Sequence, residues 1–505
     1  MNSTPKHEPF WRETSQLPSF SPLDKDISVD VAIVGGGITG ITAAYLLSQE
    51  GLTVALLEAN DLLNGTTGHT TAKVTSQHDL FYDELIQHHG AEQAKAYYEA
   101  NQQALHFIQD TIQTMDIQCD YSEEDAYIYA TTDKYAKKIE AEMKAYEKLG
   151  ITGSLTESIP FDIPIKAALK MDNQGQFHPI NYLKKLVEET TKNGGKVYEQ
   201  TVAVDIEKGD RPNVVTRSGA KVSCSHVLIC SHFPFYEGTG LYSARMYAER
   251  SYIIGVKTKN PYPGGMYISA EDPTRSLRST PMNGEPLVLV GGDSHKSGHG
   301  KAMSEHYKAL ETFAEQIFDI DKIVYHWSAQ DLFTLDKVPY IGPITSRQTN
   351  ILIATGYKKW GMTLGTTAAI MLKNEVLKKD SPYSELFTPS RFSADPSMKN
   401  FIKQNTLVAG HFIKGKLERA EKHIEEVAKD EGAVVMVNGQ RTGAYRDKNG
   451  ELHLVDTTCT HLGCEVEWND AERSWDCPCH GSRFSVTGDV LEGPAVEPLP
   501  RRNKE

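Results

Sequence analysis

Between residues 459 and 482 the chain reads Cys459-Thr-His461-Leu-Gly-Cys464 and then, after twelve residues, Cys477-Pro-Cys479-His480-Gly-Ser482. Each block sets two thiols and an imidazole in a short loop, and no other feature restricts the surrounding fold so strongly. A [2Fe–2S] centre of mixed ligation needs such donors: thiolates on one iron, neutral imidazoles on the other, with a raised reduction potential. Structural zinc is the rival reading. Zinc sites draw on Cys-x2–4-Cys and His-x3–5-His pairs, whereas the pairs here are Cys-x-His and Cys-x-x-His. An iron–sulfur centre moves electrons singly, so the sequence points to redox chemistry.

Over both loops the pattern resembles the Rieske family. The resemblance implies metal ligands Cys459 and Cys477 on one iron and His461 and His480 on the other. It implies a disulfide between Cys464 and Cys479, as in the quinol-oxidising branch, and likens Gly493-Pro494-Ala495-Val496 to the proline loop over the cluster. In that branch a Ser after His-Gly and a Tyr two residues later donate hydrogen bonds to the cluster. Here Ser482 is present but Phe484 takes the Tyr position. Fewer hydrogen bonds to sulfur lower the potential, so a value between oxygenase and respiratory types is expected.

The 505 residues allow two or three domains. A net charge of −14 argues against nucleic acid or an anionic membrane as the main partner. No run of eighteen apolar residues occurs, and the first twenty residues lack the apolar core of a secretory leader. No membrane span and a cytoplasmic location are expected. The three cysteines outside the loops, Cys119, Cys224 and Cys230, are expected to be buried packing residues. A disulfide in a reducing cytosol would be unusual. The Ser-, Pro- and charge-rich stretch 387–400 marks a boundary. After it, residues 414–432 read as a charged helix, followed by short strands with a hairpin at Lys448-Asn449-Gly450.

A second redox centre is written near the N-terminus. Asp30-Val-Ala-Ile-Val-Gly35-Gly-Gly37-Ile38-Thr-Gly40 runs from an apolar strand into a helix, and a second strand ends at Glu58. Strand, glycines, helix and acid together form a dinucleotide fingerprint. Gly35 permits the turn, Gly37 admits the pyrophosphate, Gly40 brings helix to strand, and Glu58 accepts ribose hydroxyls. The helix N-terminus at Ile38 supplies amides and a positive dipole.

The segments that follow, in order over about 30–375, resemble the D-amino-acid-oxidase-like FAD family of glycine and sarcosine oxidases. They are the Gly/Thr loop 64–73 with Thr66, Thr67, His69 and Thr70, a strand leading to Val202, the Asp336-x-x-Pro339-x-Ile-Gly342 turn, and the closing Gly356-Tyr-Lys-Lys-Trp360-Gly361-Met362. The resemblance implies FAD bound by these residues. It implies an α/β fold: a Rossmann-like FAD domain with an inserted α+β substrate-domain sheet, then a small all-β Rieske domain. The boundaries are an N-terminal extension 1–29, the oxidoreductase 30–385, a linker 386–415 and the Rieske domain 416–505. Gly65-Thr-Thr-Gly68-His69 is also similar to a loop of the dimethylglycine-dehydrogenase branch, whose His carries flavin covalently. Gly68 stands where that branch has Trp, and covalent and non-covalent contact both stay open.

Amino-acid oxidases of this family place an Arg shortly before the Asp-x-x-Pro turn to clamp a carboxylate. Asp331 falls there instead and favours an amine, unless it faces solvent. Arg278 is a second clamp candidate, or an ordinary surface residue. The expected activity is that of an FAD- and [2Fe–2S]-dependent dehydrogenase of an amine or amino acid, with an unidentified external electron acceptor. Two alternatives remain: the Rieske cluster feeding the flavin for oxygen activation, and a redox sensor without a dedicated substrate.

Overall fold

The computed structural model describes residues 5–297, 302–391, 397, 400–401, 405–406, 408 and 422–503. Val31–Val34 and Val54–Leu57 are apolar and buried at every position. Strands without a polar face need cover on both sides, as in parallel α/β sheets. They lie inside a six-stranded sheet ordered Tyr340–Thr345, Gln348–Thr355, His226–Ile229, Val31–Val34, Val54–Leu57, Lys196–Tyr198. Only the Tyr340–Thr345 edge runs antiparallel to its neighbour. Helices Ile38–Gln49 and Gly361–Val376 pack on each other and on this sheet.

Between these strands in sequence is built a second, mostly antiparallel sheet. Its order is Ile320–Thr334, Met246–Thr258, Glu285–Lys296, Arg275–Met282, Met266–Ser269, Ser122–Ala130, Ala167–Gln176, Lys73–Val74. The long ladder of Met246–Thr258 with Ile320–Thr334 pairs Arg250 with Gln330 and Glu249 with Asp331. The N-terminal segment is tied to the rest of the fold at several points, one of them in a separate four-stranded sheet. Phe10 and Trp11 are buried, the Trp11 indole donates to the Thr70 carbonyl at 2.7 Å, and Ile27–Ser28 pairs with Lys221–Ser223.

The C-terminal region is all β, with a sheet of Glu431–Val437, Gln440–Arg446 and Leu452–Asp456 and another of Glu467–Asn469, Ser474–Asp476, Arg483–Phe484 and Val490–Glu492. Arg446 pairs with Leu452 across the expected hairpin. The charged helix expected over 414–432 is corrected where that stretch is described. Only a 3-10 turn, Ile424–Glu426, forms, and Glu431 already begins a strand. Residues 414–421, and most of the 386–415 linker, lie outside the described residues. Among the described residues no helix is long and apolar enough to cross a membrane.

Candidate functional site

The two cysteine–histidine loops are built alike. Cys459 N donates to the Cys464 carbonyl (2.7 Å) and Gly463 N to the Cys459 carbonyl (2.9 Å). In the second loop Cys477 N donates to the Ser482 carbonyl (2.7 Å) and Gly481 N to the Cys477 carbonyl (3.0 Å). A Cys464–Cys479 disulfide ties the loops together. The remaining thiols, Cys459 and Cys477, are buried and in side-chain contact with each other. The His461 and His480 rings stand edge to face with centroids 5.0 Å apart. Burial brings both imidazoles down to about 4, so at neutral pH each ring is uncharged and has one nitrogen lone pair free to ligate. Two thiols and two neutral imidazoles in one tied loop pair fit a [2Fe–2S] centre of mixed ligation.

Ser482 Oγ accepts from Ala495 N (3.0 Å), which joins the second loop to the Gly493–Val496 turn. Phe484 is fully buried in the core that holds all four loop cysteines. A Phe484→Tyr variant is therefore expected to return a hydroxyl to the cluster surroundings and raise its midpoint potential. One hydrogen bond to a charged group contributes about 1.5 kcal/mol, or roughly 60 mV for one electron. Protein-film voltammetry reads the shift, and an unchanged or lower potential would show that the ring faces away.

The glycine-rich turn opens on a cavity of about 1330 Å³, larger than the roughly 300–1,000 Å³ that one small ligand needs. Gly35, Gly37, Ile38, Glu58, Thr66, Thr67, His69, Thr70, Val202, Trp360, Gly361 and Met362 all line it. Gly40 and Gly356 stand behind the wall. A Cβ on Gly40 would strike the Gly35 carbonyl, and one on Gly356 the Thr334 side chain. Gly35 has φ +114°, and a Cβ there would strike the Cys230 carbonyl. Gly37 differs, since a Cβ there would meet only Thr67 Oγ1, at 3.1 Å. Its missing side chain leaves room for something other than protein, where the twelve-residue helix Ile38–Gln49 presents its N-terminus. Thr67 Oγ1 accepts from Ile38 N at 3.1 Å. Glu58 accepts from Gly36 N (2.7 Å) and Asn60 N (2.9 Å), and burial raises its pKa. This cradle fits a dinucleotide.

His69 lies on the cavity wall, with Nδ1 3.0 Å from the Gly65 carbonyl. A Cβ on Gly68 would run into the Leu63 carbonyl, so the bulky residue of the covalent-flavin loop has no place on this backbone. Trp360 stacks on His78 (4.8 Å) at the start of helix Gly361–Val376. Asp331 faces the cavity rather than solvent. Burial raises it to about 6 against the pull of Lys359, whose Nζ lies 3.6 Å away. The two charges offset each other.

Arg278 requires a correction. It is neither on the surface nor in the cavity wall. Its guanidinium donates to the Thr71 (2.8 Å) and Ala72 (2.9 Å) carbonyls and to that of Ser279, beside Trp11. With these donors taken up by main chain, it holds the loop behind the cavity and lies outside the cavity lining. Cys119, Cys224 and Cys230 are buried as expected, their thiols pushed up to about 12, 11 and 12 by burial.

The two regions share the cavity. Glu492 and Gly493–Val496 form part of its wall, although more than 430 residues separate them from the glycine fingerprint. His461 packs edge to face on Phe233, another lining residue, at 5.9 Å. The residues that make this junction, Gln330, Arg250, Phe233 and Glu492, carry no sequence motif.

Comparison with known proteins agrees with this geometry. The FAD dependent oxidoreductase family matches residues 30–374, and the Rieske [2Fe-2S] domain matches residues 420–502. A Bacillus subtilis (strain 168) protein named as a Rieske 2Fe-2S iron-sulfur protein, YhfW, is 53% identical over 492 residues, covering 97% of each chain. Gamma-glutamylputrescine oxidoreductase of Escherichia coli (strain K12) is 25% identical over 73% of this chain and 88% of its own. The crystal structure of glycine oxidase from Geobacillus kaustophilus superimposes with a TM-score of 0.61 at 17% identity, over 72% of this chain and 99% of that one. With a cradle for one cofactor and a ligand set for the other, the chain belongs to the FAD dependent oxidoreductase family, carries a C-terminal Rieske domain, and uses FAD together with a [2Fe–2S] cluster.

Proposed function

We propose that this protein is a dehydrogenase of an amine or amino acid whose electrons leave through the Rieske domain to an external one-electron acceptor. The observation that carries the reading is the shared cavity, whose wall includes the Rieske turn Gly493–Val496 as well as Gly37 and Gly361. When bound, FAD supplies a two-electron acceptor for a C–H bond beside nitrogen, and the cluster supplies one-electron carriage. Cys459, Cys477, His461 and His480 would hold the irons. Gly35, Gly37, Ile38, Glu58, Thr66, Thr67, Thr70 and Val202 would hold the dinucleotide. His69 would touch the flavin without a covalent bond.

The rest is positioning. The amides of Gly361 and Met362, at the start of a sixteen-residue helix, would offer positive dipole to a negatively charged group bound there. Asp331, partly compensated by Lys359, would orient the substrate nitrogen, and the Gly493–Val496 turn would keep water from the reacting carbon. A likeness to gamma-glutamylputrescine oxidoreductase supports a nitrogen-bearing substrate. An anaerobic screen of amines and amino acids, watching flavin and cluster absorbance together, tests the reading. A hit should bleach the flavin first and the cluster second. Cluster bleaching before the flavin would reverse the direction, and no bleaching with any amine or amino acid would remove the substrate class.

A further inference from the structure

The seam between the two redox regions is polar, buried and centred on one side chain. Gln330 precedes Asp331 in the strand, so the two side chains leave opposite faces. It is 3% exposed. Its Nε2 donates to the Gly481 carbonyl at 2.9 Å, one residue from His480. Its Oε1 accepts from Ser297 Oγ (2.8 Å) and from an Arg250 Nη (3.3 Å). Its backbone carbonyl accepts from Thr66 Oγ1 (3.0 Å), in the loop that lines the dinucleotide cradle. One residue thus grips the cluster loop with its side chain and the flavin loop with its main chain.

The surroundings leave little play. Gly481 has φ +84°, and a Cβ there would lie 2.8 Å from both the Ala248 Cβ and Gln330 Oε1, so the cluster loop rests on the flavoprotein by its backbone. Arg250 also donates to Ser328 Oγ (2.8 Å) and to Glu492 of the Rieske domain (3.1 Å), whose other oxygen accepts from Arg483 (2.7 Å). Buried amides and guanidinium groups with every partner in place define one arrangement and resist others.

We infer that Gln330 is the positioning residue for electron passage between flavin and cluster, holding the His480 loop against the flavin-binding loop in one register. The inference rests on the reading that the two cofactors exchange electrons within one chain. In each passage one electron leaves the reduced flavin and converts one ferric iron of the cluster to ferrous. The external acceptor then reoxidises it, and two passages clear the pair taken from one substrate, with protons released to solvent. Gln330 pairs with Arg250 through its main chain, so a change of side chain removes no partner from the strand ladder.

Laser-flash photoreduction of the anaerobic holoenzyme with deazaflavin tests this without a known substrate, because it injects one electron and follows its redistribution between the flavin and cluster bands. Gln330→Leu should retain FAD, iron and sulfide, yet equilibrate internally about tenfold more slowly or worse, with altered cluster EPR g-values. Gln330→Glu keeps the shape and both acceptor contacts but loses the donor to Gly481. It should show the same slowing, and it decides the matter if the Leu variant does not fold. Unchanged equilibration in a fully loaded Gln330→Glu variant would overturn the inference. Redistribution is read in either direction, so this outcome is separate from the substrate screen, which alone tests where electrons enter.

Discussion

A Cys477→Ser variant is expected to lose its cluster and still let substrate reduce FAD at nearly the normal rate. Turnover with a one-electron acceptor too bulky to enter the cavity, such as a cytochrome, should fall by roughly two orders of magnitude or more, as when an obligatory group is removed. The reason is the division of labour on the shared cavity. On the proposed reading, hydride transfer would use only the cavity that Gly361 and Met362 line, whereas export of single electrons would use the loop pair Cys459–Cys464 and Cys477–Ser482. Cys477 is fully enclosed in the Rieske core, far from the dinucleotide cradle in sequence and in a loop that follows a strand of a separate sheet, so its loss should leave the flavin half intact. Slow reoxidation of the flavin by oxygen should persist. The opposite direction of flow predicts something else: reductase-driven flavin reduction would disappear in this variant, and no small organic molecule would reduce the flavin directly. Stopped-flow traces at the flavin and cluster bands separate the two. A variant whose flavin no longer accepts electrons from the substrate would defeat the assignment of entry and exit.

Chemistry that is local in sequence was legible in sequence. The loops at 459–482 and the strand–glycine–helix at 31–49 each bring their donors together within a few residues, and the structure folds each as read. Long-range partners were not legible. Arg278 finds its carbonyls at Thr71 and Ala72, some two hundred residues away, so nothing near it reveals that its donors are taken up. Gln330 has the same difficulty, with Gly481 151 positions on. Asp331 lines the cavity, but Lys359, which offsets its charge, was not anticipated. The charged stretch near 422–432 looked helical because alternating charges can pair at helical spacing. Such pairs contribute only about 0.2–0.5 kcal/mol each, less than a strand gains by joining a sheet. Glu431–Val437 therefore pairs along its whole length with Gln440–Arg446, and Lys422 pairs with Glu431 from outside the strand.

Gly37→Val should give a folded protein that keeps its Rieske cluster and loses its FAD. The glycines of the fingerprint are not equivalent. Gly35 sits at φ +114° with the Cys230 carbonyl where a Cβ would go, so any replacement there damages the fold itself. Gly37 has φ −90° and ψ −171°, an extended conformation open to any residue. Its Cβ would touch only Thr67 Oγ1, at 3.1 Å. A valine there strains nothing in the backbone; its two methyl groups instead occupy the approach to the helix N-terminus at Ile38. A pyrophosphate kept from that terminus forfeits one or two charge-assisted hydrogen bonds, each contributing about 1.5–3 kcal/mol. At 1.4 kcal/mol per decade, affinity should fall by roughly a hundredfold or more. Glu58→Ala should cost less, about tenfold, because the ribose hydroxyls can turn to water, although the Gly36 amide also loses its acceptor. Purified Gly37→Val protein should lack the flavin band near its usual wavelength, show normal iron and sulfide content, and melt close to the FAD-free parent. Stoichiometric FAD in that variant would mean that the pyrophosphate does not pass Gly37, and the cradle would have to be placed elsewhere on the cavity wall.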